Sequence, residues 1–242
     1  MSVEIVHFPA TRSGQALRAI IAATAAEREQ VYRLRYDVYV TEMGLLPEDH
    51  AFVHDRSVRD PLDDRSILLL LLHGDEPVGT LRLTAARGGP LELEQYRSLA
   101  DVSDPCSEIC EATRYMIRRS MRGTLAGPAL LLAVYRAMVG ARLRVLLAAG
   151  KTGNLGQYYK GFGLTRLGQD TFTYDLVGSS RYELLRLDIG RPFGLARART
   201  LAIIAALWLR LVFLGDLIAR GRGFAPVRAS GSIERTAAEA GL

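Results

Sequence analysis

Six ionisable side chains stand out in this sequence, because three of them lie inside segments that are otherwise apolar enough to form a protein core. Burying an ionised group is costly unless the group is paired or takes part in chemistry. The chemistry open to carboxylates and guanidinium groups is proton transfer and the binding of charged groups. The sequence therefore predicts a site formed by Arg35, Asp60, Asp63, Arg82, Glu111 and Arg114.

A second interpretation of the same six residues requires no catalysis. Buried clefts often contain ion networks, and such a network would order the loop that follows the first predicted helix. The two interpretations are compatible, since a network can also form the wall of a site.

The helix and the hairpin that carry these residues follow from the hydrophobic pattern. Residues 25–40 predict a helix, and residues 47–65 have the Asp, Pro and His content of a loop. Two apolar runs, 67–72 and 78–84, flank a Gly/Asp turn and predict an antiparallel hairpin. Strict alternation in the second run places Val78 and Thr80 on the face that carries Arg82.

The rest of the chain shows hairpins first and alternating helices and strands later, which predicts an α/β fold with a mixed sheet. The predicted strands are 2–8, 108–118, 143–148, 171–176 and 182–189, and the predicted helices are a short one at 93–99, one that follows Gly123–Pro128 and ends at Val139, and a short one at 154–160.

Composition indicates an ordinary globular protein, because 49% of its 242 residues are apolar and 24% are charged. The net charge of +5 is carried almost wholly by arginine; it suits an acidic partner but is equally typical of a solvated basic surface. Cys106 and Cys110 are too few for a disulfide scaffold or a zinc site, and no metal site is predicted. No signal peptide is recognised, so the predicted location is the cytoplasm.

The C-terminal part predicts a helix with a very wide apolar face over residues 195–220. Ten uncharged residues, 200–209, precede Arg210, and this run is shorter than the roughly 18 to 20 residues that span a bilayer. The helix must cover its face against the domain, a second subunit or the surface of the inner membrane. The predicted organisation is a catalytic domain over 1–190, an apolar helix over 191–221 and a disordered tail over 222–242.

The order of these motifs resembles the N-acyl amino acid synthases and the acyl-homoserine-lactone synthases, two branches of the GCN5-related N-acyltransferase superfamily. The resemblance covers about residues 25–176 and implies a largely antiparallel sheet flanked by helices, with the C-terminal helix as an addition. It rests on Arg35-Tyr-Asp-Val-Tyr39, Asp60-Pro-Leu-Asp63, Gly79-Thr-Leu-Arg82-Leu, Glu111-Ala-Thr-Arg114, the 29-residue interval from Arg82 to Glu111, and the segment NLGQYYKGFGL that begins at Asn154.

Two departures distinguish the branches. Homoserine-lactone synthases are expected to have a tryptophan where Leu45 stands, and the single tryptophan here is Trp208. The acid segment also lies a few residues farther from Arg35 than in that branch. Both departures favour an N-acyl amino acid synthase over an enzyme that uses S-adenosylmethionine. The superfamily's phosphate loop is also incomplete, which favours phosphopantetheine on an acyl carrier protein over free coenzyme A as the acyl source.

The resemblance implies the role of each site residue. Glu111 is the expected base, Arg82 is expected to act in catalysis, and Tyr159 either donates a proton to the departing thiolate or packs in the core. The joint use of Glu111 and Arg114 requires a β-bulge between them, because three residues apart on a regular strand they face opposite sides. Asp60 and Asp63 are expected to bind the acceptor's amino group, and Arg82 or Arg114 its carboxylate. Arg35 is also expected to be a substrate-binding residue.

A basic cluster is expected at the pantetheine entrance, where it would dock an acidic carrier protein or simply face solvent. The expected pantetheine-binding residues are Arg118, Arg119, Arg122, Gly123 and Gly127, with Arg142, Arg144 and Lys151 nearby.

The predicted function is transfer of a fatty acyl group from acyl carrier protein, or alternatively acyl-coenzyme A, to an amino acid or similar small amine. No tightly bound cofactor and no nucleic-acid partner are predicted. The alternatives are a homoserine-lactone synthase that uses S-adenosylmethionine, and a non-catalytic acyl-binding or membrane-associated protein of the same fold.

Overall fold

A computed structural model describes residues 3–9, 14–153, 163–174 and 180–189. These residues contain two α-helices, ten β-strands and several short helical turns. The helices are α1 (Ala25–Tyr36) and α2 (Ala126–Gly140); the strands are β1 (Val3–Phe8), β2 (Leu17–Ile21), β3 (Val53–His54), β4 (Ser57–Val58), β5 (Ser66–His73), β6 (Glu76–Ala85), β7 (Ile109–Ile117), β8 (Val145–Lys151), β9 (Thr165–Tyr174) and β10 (Ser180–Asp188).

Eight of the strands form one mixed sheet in the order β1-β2-β5-β6-β7-β8-β10-β9. All neighbours pair antiparallel except β7 and β8, which are parallel and are joined through α2. The predicted mixed, largely antiparallel sheet flanked by helices is thus confirmed. Two buried clusters lie on its faces, one containing α2 and the other containing α1.

Helix α1 begins where the local sequence supplies a capping box. The side chain of Thr24 accepts from the backbone N–H of Glu27, and the Glu27 carboxylate accepts from the backbone N–H of Thr24. After Tyr36 the chain continues as a π-helix over Asp37–Glu42, a conformation that often occurs at functional sites. The predicted helix over 25–40 is therefore present, with a wider last turn.

The β5–β6 hairpin is confirmed, but the predicted position of Val78 is wrong. Leu71 pairs with Gly79 and Leu72 with Pro77, so Val78 is an extra residue in the ladder. This irregularity turns Val78 into the cluster with α2, whereas Thr80 and Arg82 lie on the other face.

Strand β7 contains the bulge that the site requires. Thr80 pairs with Met116 and Arg82 with Thr113, which leaves one extra residue on β7. Arg114 has φ +56°, an unusual value for a side-chain-bearing residue and one that accompanies such irregularities. The predicted bulge after Glu111 is present.

The same strand separates from its other neighbour just before the bulge. The parallel β7–β8 pairing ends at Ala112 and Ala148, although β7 continues to Ile117 and β8 to Lys151. The sheet therefore has an opening between these two strands beside Arg114.

Several predictions differ from the structure or lie outside the described residues. Strand β2 was not expected, and β9 begins six residues before the predicted 171–176. Within the described residues, no helix is long and apolar enough to cross a membrane. The predicted helix at 154–160, the apolar helix over 191–221 and the tail over 222–242 lie outside the described residues.

Candidate active site

Arg82 is the centre of the predicted cluster and is completely buried. Its Nε donates to Thr113 Oγ1 at 2.9 Å. Its Nη1 lies 2.9 Å from Asp60 Oδ2 and 3.5 Å from Asp63 Oδ1, and its Nη2 donates to Glu92 Oε2. Each nitrogen of this guanidinium thus has at least one partner, so Arg82 fixes the positions of three carboxylates.

Arg114 and Arg35 extend the network on either side. Arg114 donates through Nη2 to Asp60 and through Nη1 to Glu92 Oε1 at 2.9 Å. Arg35 donates through Nη1 to Asp63 Oδ2 at 2.7 Å. The structure therefore brings five of the six predicted residues into direct contact through shared carboxylates.

The contacts between these groups balance charge. Three guanidinium groups face the three carboxylates of Asp60, Asp63 and Glu92, and all of them are buried. Burial alone would raise the pKa of Asp60, but the guanidinium groups of Arg82 and Arg114 hold it below its ordinary value. The network is thus compatible with burial because each charge has an opposite neighbour.

Glu111, the sixth predicted residue, lies at the edge of this balanced set. Its Oε2 accepts from the backbone N–H of Glu92 at 2.7 Å, whereas Oε1 is buried and has no hydrogen-bond partner among the described residues. Burial, and then the carboxylate of Glu92, raise the Glu111 pKa from 4.5 to about 7, against the lowering influence of Arg82. A carboxyl group with this pKa can accept a proton near neutral pH.

Glu92 is the member of the network that the sequence analysis missed. It lies in a short 3₁₀ turn, Glu92–Gln95, which begins one residue before the short helix predicted at 93–99. One signal was available: Glu92 stands between two leucines, Leu91 and Leu93, which are buried. Charge counting gave another, because three buried arginines need a third acid if Glu111 is to serve as a base.

The fold explains why these residues meet. Glu111, Thr113 and Arg82 lie on one face of the β6–β7 pair, and the bulge turns Arg114 toward the same carboxylates. Asp60 caps the 3₁₀ turn Pro61–Arg65, and its backbone N–H donates to Asp63 Oδ2 at 2.9 Å. The capping box holds both acids under the sheet face.

The predicted pantetheine residues lie after β7, away from this network. Arg118 pairs with Asp37 at 2.6 Å and Arg122 with Glu42 at 3.1 Å. Arg119 has an exposed side chain, and its backbone N–H donates to Glu42 at 3.0 Å. The two glycines of the set are Gly123, which has φ +76°, and Gly127, which is buried in the first turn of α2.

The remaining predictions concern Tyr159 and metal binding. Tyr159 lies outside the described residues. Among the described residues, no group of three His, Cys, Asp or Glu side chains is arranged to hold a metal ion.

The mixed sheet, with an opening between two parallel strands and a bulge beside it, has the GCN5-related N-acyltransferase fold. Residues 30–188 match the model of the family described as N-acyl amino acid synthase FeeM. The chain belongs to this family. No curated protein matches it significantly.

Solved structures with the same fold include relatives from both branches. BjaI, a CoA-dependent acyl-homoserine lactone synthase with SAM and isopentyl-CoA, is 23% identical with a TM-score of 0.57, covering 90% of this chain and 96% of its own. FeeM, an N-acyl amino acid synthase from uncultured soil microbes, is 16% identical with a TM-score of 0.57, covering 78% and 97%. The AHL synthase LasI is 19% identical with a TM-score of 0.52, covering 69% and 85%.

Proposed function

We propose that this protein transfers a fatty acyl group from a phosphopantetheine thioester to the amine of an amino acid or similar small amine. The observation that carries the proposal is Glu111, a fully buried carboxyl with a free oxygen and a pKa of about 7. It lies on β7 next to Ala112, where the strand leaves β8. Membership of the N-acyl amino acid synthase family supports the same reaction.

The reaction needs a proton acceptor and a proton donor from the protein. Glu111 accepts a proton from the acceptor's ammonium group, directly or through water, and so frees the amine's electron pair. The amine then attacks the thioester carbonyl, forming a C–N bond, and the C–S bond breaks to release the thiolate. Tyr159 is the proposed donor of the proton that the thiolate takes, and the attacking nitrogen loses its second proton to restore the tyrosine hydroxyl.

Arg82 supports this reaction by holding the groups around Glu111 in place. It binds Asp60, Asp63 and Glu92, and the backbone N–H of Glu92 in turn holds Glu111. We therefore assign Arg82 the role of a positioning residue, because each of its nitrogens already has a protein partner.

Acyl carrier protein is the proposed donor. The net charge of +5 and the cluster after β7 favour an acidic partner. Ion pairs to Asp37, Glu42 and Glu108 neutralise Arg118, Arg122 and Arg144. Arg119 is exposed and forms no ion pair with the described residues. Gly123 and Gly127 are proposed to admit the pantetheine arm.

Product analysis tests the proposed function. The protein is incubated with fatty acyl carrier protein or with fatty acyl-coenzyme A, together with pooled amino acids and S-adenosylmethionine, and the products are identified by mass spectrometry. We expect an N-acyl amino acid, formed faster from the carrier-protein thioester. A lactone would instead identify a homoserine-lactone synthase, and no product with any amine or either donor would contradict both enzymes.

A further inference from the structure

Glu92 contacts both the proposed base and the arginines of the network. It is buried, and its carboxylate accepts hydrogen bonds from two guanidinium groups: Oε2 from Arg82, and Oε1 from Arg114 Nη1 at 2.9 Å. Its backbone N–H donates to Glu111 Oε2 at 2.7 Å. A single residue of a short turn thus compensates two arginines and holds the base.

The charge balance of the network depends on this carboxylate. Without the Glu92 charge, three buried guanidinium groups would face two carboxylates, those of Asp60 and Asp63. A buried cation without full compensation is costly. Glu111 lies close enough to Arg82 for this cation to lower its pKa, so Glu111 would become the third acid of the network. A carboxyl group that is held ionised by a cation is a weaker base.

The other groups around Glu111 are paired charges or neutral side chains. Leu147 of β8 lies opposite Glu111. Tyr39 of the π-helix and Cys110 of β7 are buried, and burial raises the pKa of both, so both are neutral at neutral pH. The charged groups are Arg35 of α1, Asp60 and Asp63 at the turn after β4, Arg82 of β6, Arg114 of β7, and Glu92. Of the three acids in this network, Glu92 holds Glu111 directly, through its backbone N–H.

We propose that Glu92 is a positioning residue that keeps Glu111 available as the base for amide formation. Its carboxylate compensates Arg82 and Arg114, so that Glu111 is not required to do so. Its backbone N–H holds Oε2 of Glu111, which leaves Oε1 to take the proton. The inference rests on the proposed function for the reaction that the base serves, but the control of Glu111 by Glu92 can be measured without a substrate.

Equilibrium unfolding of the full chain measures the proton affinity of Glu111 without a substrate. The unfolding free energy is compared with that of the Glu111→Gln derivative from about pH 4 to 8.5, and the difference changes with pH only while Glu111 titrates. Because protonated Glu111 stabilises the unmodified protein, this stability should be lost as the pH rises and the change should end near pH 7. In the Glu92→Gln background the change should end at least about 1 pH unit lower. An unchanged limit would overturn the proposal.

Two further variants separate charge compensation from structural support. Arg114→Gln removes a cation and leaves three carboxylates facing two guanidinium groups, so the limit should rise above that of the unmodified protein. Glu92→Gln combined with Arg114→Gln removes one charge of each sign, and the limit should return close to that of the unmodified protein. Both variants test the proposal even where Glu92→Gln alone fails to fold. Limits that shift in the same direction in the two single variants, or stay shifted in the double variant, would overturn it.

The pH profile of amide formation is the second readout. In Glu92→Gln the rate should rise at least about 1 pH unit lower and reach a plateau at least about 3-fold lower, because a weaker base takes a proton less readily. A plateau that falls without a shift in pH would indicate a purely structural role and overturn the proposal. Glu94→Gln is the matched control, because Glu94 lies in the same turn with an exposed side chain that accepts from the backbone N–H of Leu91 at 2.7 Å. It should leave both pH limits unchanged. Absence of any amide product from the unmodified protein would contradict the proposed function, and the unfolding limits would still decide whether Glu92 controls Glu111.

Discussion

Glu111 owes its proton affinity to its surroundings. Three other carboxylates neutralise the three arginines of the network, and no cation among the described residues forms an ion pair with Glu111. Burial is therefore the main cause of the raised pKa of Glu111. Burial of a carboxyl group thus supplies a general base that titrates near the working pH.

This pKa has a consequence for stability. Because the folded-state pKa of Glu111 is raised from 4.5 to about 7, the neutral form stabilises the fold at low pH, and that contribution is lost as the pH rises through 7. The shift corresponds to about 3 kcal/mol. We expect Glu111→Gln to gain stability relative to the unmodified protein between pH 4.5 and pH 8, measured by urea unfolding across that range.

Glu108→Gln is the control for this linkage, because Glu108 is part-exposed and pairs with Arg144 at the surface. It should show no comparable gain. If the difference in unfolding free energy between Glu111→Gln and the unmodified protein were constant with pH, Glu111 would not carry the raised pKa.

Residue types and spacing predicted most of the site, because ionised side chains in apolar segments are costly and therefore conspicuous. Glu92 was not predicted as a site residue because its segment is short and irregular, and no periodic pattern shows that it is buried. Two nitrogens of Arg35, Nε and Nη2, have no hydrogen-bond partner among the described residues. This could not be predicted, since it depends on which carboxylates reach which guanidinium in three dimensions.

Among the secondary-structure elements, the turn Pro61–Arg65 is important because it places two carboxylates, those of Asp60 and Asp63, in the buried network. Asp63 accepts from Arg35 and from the backbone N–H of Asp60, and it lies within 3.5 Å of Arg82. We expect Asp63→Asn to lower the free energy of unfolding by about 3 kcal/mol, because it leaves buried cations without full compensation. Chemical denaturation measures this loss.

Asp64→Asn is a control one residue away, since the Asp64 side chain is almost fully exposed. It should change the free energy of unfolding by less than about 0.5 kcal/mol. An equal effect of the two substitutions would show that the buried network contributes nothing specific to stability.

At Gly79, β6 approaches the part of β7 that lies beyond the bulge. A Cβ added at Gly79 would lie 2.7 Å from Ile117 Cδ1 and 3.3 Å from the Met116 carbonyl oxygen. We expect Gly79→Ala to displace β7 beyond the bulge, to destabilise the fold by about 1–3 kcal/mol and to lower kcat. Unfolding and steady-state kinetics together measure these effects.

The corresponding control is Gly88→Ala, where the added Cβ would meet only the flexible end of Arg65, at 3.3 Å. It should retain kcat. A Gly79→Ala variant with unchanged kcat and stability would contradict the proposed importance of the β6–β7 approach.

The elements themselves were largely predictable, because hairpin and helix signals are local. The bulge in β7 was expected from the need to bring Glu111 and Arg114 together. The bulge at Val78 was not, because alternation in the sequence looks regular there and only pairing with Leu71 and Leu72 shows the extra residue. Strand β2 was missed for a similar reason: its five residues, LRAII, do not alternate.

For the whole molecule, the net positive charge is expected to promote association with the acyl donor. Arg119 lies just after β7 with an exposed side chain. We expect Arg119→Glu to raise the KM for acyl carrier protein about 3- to 10-fold, an effect that salt weakens, and to leave the KM for acyl-pantetheine unchanged. Initial rates with both donors measure the difference.

Arg87→Glu is the matching control. Arg87 is also exposed, but it follows the C-terminal end of β6, at the opposite end of the β6–β7 pair from Arg119. Equal effects of the two substitutions would indicate general electrostatic attraction without a docking face after β7. The organisation predicted for 191–221 and 222–242 stays a prediction.

The central claim is that Glu111 is the base for amide formation. Its most direct test is the rate of N-acyl amide formation from about pH 5.5 to 8.5, expressed as the ratio of the unmodified protein to Glu111→Gln, which cancels the titration of the acceptor's own amine. The account predicts a ratio that rises through pH 7 to a plateau of about 10²-fold or more. A ratio near one at every pH would contradict it.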